Sequence, residues 1–466
     1  MDDPVAPETK QGAWRARPAG VPDGVPPPSV PLSFLGAAAL GLAACGVALV
    51  FARSVATIDP TDDRVVGAAH FMMLATLSMG VLGAIHQFTP VITQRSLRSV
   101  LVSRATFATW FAASWLLPLG FLTRQESVVE AGGACAALAV TLLVINIAPP
   151  LAARAKGAPS TGLRLAVIGL VATAGYGVVY VVDRRAAWFD LSGHVVLAHA
   201  SVGLLAWLGL TYLSVSQKLW PMFMLAHVTG RRRADWVSVW ALFGGVALLS
   251  PGLLFAVGPL ALVGGLVVAL GLGAHLYSLV RFVRHRRRAA DLHLAYIISS
   301  AAWLVVAAGL AVAGTLVIPS HDHLGVALVS ATITALAGWL LVALVGHSYK
   351  IVPFIVWSAL RSRGIAKKPD GSQLMFADLY SHRWSRIDFV LVNAAVAAIC
   401  VGLGVSDSAL IGVGGVLLVA CALITAGNLS WRPVRLLRTA HAQTPQVATA
   451  LTLPAELGPR RTPSTH

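Results

Sequence analysis

The sequence predicts an all-α polytopic membrane protein, with 12 transmembrane helices in three pseudo-symmetric four-helix arcs. Three observations carry this reading. Of 466 residues, 57% are hydrophobic and only 12% charged, about half the charge of a water-soluble chain. A related phrase recurs at long, even intervals: HQFTP at 86–90, SQKLWP at 216–221 and HSYKIVP at 347–353, with prolines 131 and 132 residues apart. Each phrase closes an apolar segment opened by a histidine, and His70, His199 and His323 stand 129 and 124 residues apart. A period this long marks one structural unit used three times.

The apolar runs fall at 31–53, 66–91, 105–123, 131–150, 162–182, 194–216, 236–254, 258–281, 294–317, 323–346, 387–405 and 408–429. Each is near the ~20 residues that cross ~30 Å of hydrocarbon. Residues 1–30 are rich in Pro, Gly and charge, with no short apolar core and cleavage site, so a disordered cytoplasmic tail is expected rather than a signal peptide. The membrane domain is expected over 31–430, and a second cytoplasmic tail over 431–466.

The loops alternate in charge. One set reads QRSLRSVLVSR, ARAKGAPSTGLR, HVTGRRRAD, RFVRHRRRAADLH and RSRGIAKKPDG…SHRWSR. The other reads IDPTDD, TRQESVVEAG, VDRRAAWFDLSG, VGP, IPSHD and VSDS, with Arg184 and Arg185 as its notable basic exceptions. The positive-inside rule then puts the first set and both termini in the cytoplasm, consistent with an even number of crossings. The net charge of +16 is thereby a consequence of topology, and nucleic-acid binding is not indicated. The expected surroundings are the lipid bilayer of a cell membrane. Cys45, Cys135, Cys400 and Cys421 lie singly in apolar runs, without the spacing of a disulfide framework, an iron–sulfur site or covalently attached haem. No P-loop, GxGxxG, GxSxG or HExxH stands in a fitting context.

Histidine carries what chemistry the sequence offers. Asp388 and Lys218 fall at the ends of runs, so imidazole is expected to be the one ionisable group at depth, where such groups default to function. The lack of carboxylates counts against a proton-coupled carrier. Neutral imidazole is a good iron or copper ligand. Runs two, six and ten cross from outside to inside, which sets His70, His199 and His323 at the outer end. His86 and His347 come 16 and 24 residues later, ~24–36 Å along a helix, too far to share one small site. The inner set, with Lys218, Gln87, Gln217, Tyr349 and Lys350, reads first as interfacial anchoring by snorkelling side chains, and more sharply as a gate or a quinone or anion site. His275 and His293 fall under the same interfacial reading. The recurring prolines and the 13 Trp read as helix ends and interface belt.

His321 and His323 in HDHLGVALVSATITALAGW are two residues apart, hence about 200° apart around a helix. With His70 in GAAHFMMLATLSMGVLGAIHQFTP, this resembles the haem–copper oxidase subunit I superfamily, where an H-x-H on the tenth helix serves two haems and a histidine on the second completes the low-spin pair. The resemblance covers residues 31–430, in topology more than in local sequence. It implies His70 and His323 as axial ligands of a low-spin haem b, and His321 on a second haem. His194 or His199, in SGHVVLAHASVGLL, would remain for copper. The seventh run, DWVSVWALFGGVALLSPGLLFAVG, departs from the pattern: it has neither the family's His-His pair nor a Tyr. One imidazole holds copper weakly, so the resemblance implies an oxidase-like or nitric-oxide-response-like bacterial membrane protein. It would transfer electrons from a cytochrome or quinol donor, or handle nitric oxide or oxygen, with a degenerate oxidoreductase site. Two other classes stay open: a copper or haem transporter, in which Met72, Met73 and Met79 would contribute, and an accessory scaffold without cofactor.

Overall fold

The computed structural model describes residues 26–153, 157–189, 191, 193–228, 232–317, 323–368 and 370–450, without the side chains of 316–317, 323 and 436–450. Twelve helices are long and apolar enough to cross a membrane among these residues. They are α1 (Ser29–Ala56), α2 (Asp63–Thr93), α3 (Val100–Thr123), α4 (Glu126–Ala152), α5 (Ala158–Ala186) and α6 (Gly193–Met224). After these come α7 (Arg233–Leu254), α8 (Gly258–Arg284), α9 (Leu292–Val317), α10 (His323–Ser362), α11 (His382–Gly404) and α12 (Ser408–Ala450). Helices are what an apolar chain must form in lipid, where each backbone N–H and C=O needs an internal partner. The chain is an all-α, multi-pass membrane protein.

The three repeated helices form the inside of the bundle. In their most apolar stretches, 61% of α2, 61% of α6 and 56% of α10 is buried, against 22% of α8. Outside them α3 packs with α4, α7 with α8 and α11 with α12; α5 lies against α4 and α6, α9 against α10, and α12 along α1. Close approach depends on small residues. A Cβ on Gly41 of α1 would collide with the Ala75 carbonyl oxygen of α2, and one on Gly264 of α8 with the Leu249 nitrogen of α7.

Two inner helices are not α-helical throughout. Phe71–Ser78 in α2 and Val202–Gly209 in α6 are π-helical, 131 residues apart, the interval that separates Pro90 from Pro221. A π turn adds a residue to the helical repeat and rotates the face presented by the turns after it. The Leu74 carbonyl in the first segment accepts a bond from Trp110 Nε1 at 3.1 Å. The two segments meet through Trp207 Nε1, which donates to Ser78 Oγ at 3.0 Å. The third unit has no such segment; α10 is one continuous α-helix.

Several expectations are corrected. Pro90 and Pro221 lie in the last turns of their helices, as expected of helix-end residues, whereas Pro353 lies well inside α10. Proline removes one N–H and frees the carbonyl four residues back; for Pro221 that is Gln217, whose oxygen accepts from Arg232 Nη2 at 2.8 Å. The helix α10 runs past Pro353 to Ser362, and the basic segment that follows, 363–381, carries the 3-10 turn Phe376–Leu379 before α11. The last helix continues to Ala450, through part of the expected tail. Trp110, Trp207, Trp220 and Trp339 are core residues, while Trp188, Trp240 and Trp431 are exposed as belt residues would be.

Candidate functional site

At the end of the bundle that carries the acidic loops, His70 and His199 come together. His70 is the last residue of α2 before its π segment, and His199 lies three residues before that of α6. Their ring centroids are 6.4 Å apart, with planes 21° from parallel. His70 Nδ1 donates to the Val66 carbonyl at 2.8 Å. That bond fixes tautomer and orientation and leaves Nε2 with the lone pair, as in imidazoles held by a backbone carbonyl for metal ligation. His199 Nδ1 is buried and has no partner. Around it stand the rings of Tyr180 and Tyr176, 5.7 and 6.4 Å away. Both hydroxyls are engaged, Tyr180 with the Val195 carbonyl at 2.8 Å and Tyr176 with Ser250 Oγ at 2.9 Å.

An ion-paired cap closes this end. Arg184 bonds Glu126 through Nε at 2.7 Å and Asp63 through Nη1 at 3.0 Å. Its guanidinium also lies 5.3 Å over the Phe121 ring, which is 5.2 Å from His70. The two arginines that broke the charge pattern of the loops thus mark the site: Arg184 caps it and Arg185 pairs with Glu130. Tyr176 and Tyr180 were not singled out by sequence, since a tyrosine in an apolar run carries no signal by itself.

The other expected ligands are distributed differently. His194 is exposed, and its Nδ1 bonds the Leu253 carbonyl at 3.0 Å. His321 lies outside the described residues, as does the side chain of His323, whose backbone opens α10. Among the described residues no three His, Cys, Asp or Glu side chains converge as a metal cage would require. Met72 and Met79 are core residues.

The histidines towards the basic loops correct the interfacial reading, for they are buried. His86 stacks on Phe34 at 5.0 Å. His347 and His293 meet edge to face at 5.0 Å, and His275 lies 4.8 Å from Trp220. Lys350 pairs with Asp291 at 2.7 Å instead of snorkelling. Histidine is also not the one ionisable residue at depth. Asp388, seventh residue of α11, is fully buried and accepts from Tyr349 Oη at 2.7 Å and Thr425 Oγ1 at 2.5 Å. Asp183 and Asp235 are buried as well.

Comparison with known protein-family models and with curated proteins finds no match for the chain.

Proposed function

We propose that the chain is a membrane haem protein. Its work is electron transfer or the handling of nitric oxide or oxygen, and His70 is the fixed ligand of a b-type haem. The supporting observation is the pairing of His70 with His199. His70 and His199 would be the residues to hold the group: their ring centroids are 6.4 Å apart, and the bond from His70 Nδ1 leaves its Nε2 free. A bare copper or zinc ion needs three or four such ligands, whereas a haem brings four nitrogens of its own and asks two of the protein. The residues at this end fit the group on that count.

In this reading Val66 holds the His70 ring so that Nε2 faces the metal. His199 is the second ligand favoured by proximity, and His323, named by the resemblance to the oxidase superfamily, is its competitor on α10. Phe121 and the Arg184–Asp63–Glu126 cap exclude water above the rings, and Tyr176 and Tyr180 fill the far side of His199. When bound, a haem would supply a one-electron redox centre. His194, engaged with Leu253, is a weak candidate for copper. The basic loops would face the cytoplasm of a bacterial cell, with a cytochrome or quinol as electron donor.

The test is the optical spectrum of the purified protein with each histidine replaced in turn. A six-coordinate b-type spectrum lost in His70→Ala supports the reading. Its second ligand is whichever of His199→Ala or His323→Ala leaves a five-coordinate haem. Protein without haem that retains copper would favour metal transport instead.

A further inference from the structure

The inner faces of the three repeated helices do not close completely. Between α2, α6 and α10, with Leu35 of α1 also in the wall, they leave a cavity of about 70 Å³. Its wall keeps the register of the repeat. Leu77, Leu208 and Leu340 line it at one level, and Ala84, Val215 and His347 at another. Each set is spaced by the same 131 and 132 residues that separate the prolines. Equivalent positions of all three units thus meet at one place, so the cavity lies on the axis of the repeat. At the second level α2 supplies only a methyl group, where α6 supplies valine and α10 histidine. The space that a larger side chain would fill there is left open.

The chemistry of the wall decides what the space can hold. It is almost wholly apolar. The hydroxyls of Thr211 and Ser348 give their protons to the Trp207 and Leu344 carbonyls, at 2.7 and 2.8 Å. His347 gives its Nδ1 proton to the Ala343 carbonyl at 2.7 Å. A buried water asks for about three hydrogen bonds, whereas apolar cavities stay dry and take apolar guests; one of ~150 Å³ holds benzene or xenon. A space of about half that volume excludes the ring but admits a xenon atom or a molecule of two atoms. We infer that this axial cavity is a binding site for a dissolved diatomic gas of low polarity, dioxygen or nitric oxide. Leu77 and Leu208 stand seven and nine residues past His70 and His199 on the same helices. The inference shares with the proposed function only the class of ligand, and the cavity is formed without any haem.

The experiment is crystallography of the full chain under xenon pressure, with xenon located by its anomalous scattering. A xenon peak is expected between the three leucines and Ala84. It should persist in His70→Ala and vanish from Ala84→Leu, whose side chain would fill the space. Dioxygen itself is paramagnetic, and in solution it should broaden the Ala343 methyl resonance of the native chain more than that of Ala84→Leu. A native cavity without xenon overturns the inference, as does one holding an ordered water or a lipid chain in its place. So does a xenon peak that survives Ala84→Leu, or equal broadening in the two chains. The native crystal decides even if Ala84→Leu fails to fold. A chain that takes xenon but binds no haem contradicts the proposed function and leaves this site standing.

Discussion

The bond from His70 to the Val66 carbonyl decides which nitrogen of that ring is available, and so where a ligand must stand. On the proposed function, His70→Ala should leave the chain without haem, whereas Tyr180→Phe should alter only the packing around His199. Haem content per polypeptide checks both. The buried Asp388 invites a separate measurement. Tyr349→Phe deletes one of its two hydroxyl donors and should lower stability by about 1–3 kcal/mol, read as thermal unfolding in detergent with Tyr349→Leu as a harsher comparison. Outside the spans, burial pushes the Asp291 carboxyl up, but the Lys350 ammonium beside it outweighs this and holds it below its ordinary 3.8. A depressed carboxyl contributes stability above its unfolded pKa and loses it as the pH falls through the folded value. The stability advantage of the native chain over Asp291→Asn should thus be full at neutral pH and vanish below 3.8, followed by Tm across that range. The spacing of the repeat singled out His70 and His199, but with His323 rather than His199 as the expected partner of His70. Asp388 was not, because hydropathy places the start of α11 at 387 while the helix begins at His382.

Among the elements, α2 and α6 differ from the rest by their π segments, which come just after the two paired histidines and meet at Ser78 and Trp207. The spacing of the prolines announced a repeat near helix ends, but not that α10 continues well past Pro353. Carbonyls freed by proline and by π turns find side-chain partners such as Arg232 and Trp110, contacts between distant segments that no local pattern encodes. Gly41 seats α1 against the first π segment. Gly41→Leu should prevent that approach and destabilise the bundle by at least about 1–3 kcal/mol. Gly36→Ala, with nothing within 4 Å of its Cβ, should leave it unchanged. The fraction of monodisperse protein after heating separates the two.

For the whole molecule, the number and order of crossings were legible in composition and loop charge, because lipid leaves a polypeptide few alternatives. The repeat singled out α2, α6 and α10, but their place on the inside of the bundle comes from the packing. What the sequence could not display is that two of the three units supply a histidine pair under an ion-paired cap. Opposite charge on the two ends also predicts orientation. A cysteine replacing Arg287 should react with a membrane-impermeant thiol reagent only in inside-out vesicles, and one replacing Thr61 only in intact cells. The central claim, that paired imidazoles at the acidic end hold an iron porphyrin, is tested most directly by a pyridine haemochromogen assay on the purified chain. The expected result is one b-type haem per polypeptide, absent from His70→Ala of equal yield and fold. A colourless native protein, or one whose haem survives that replacement, would contradict it.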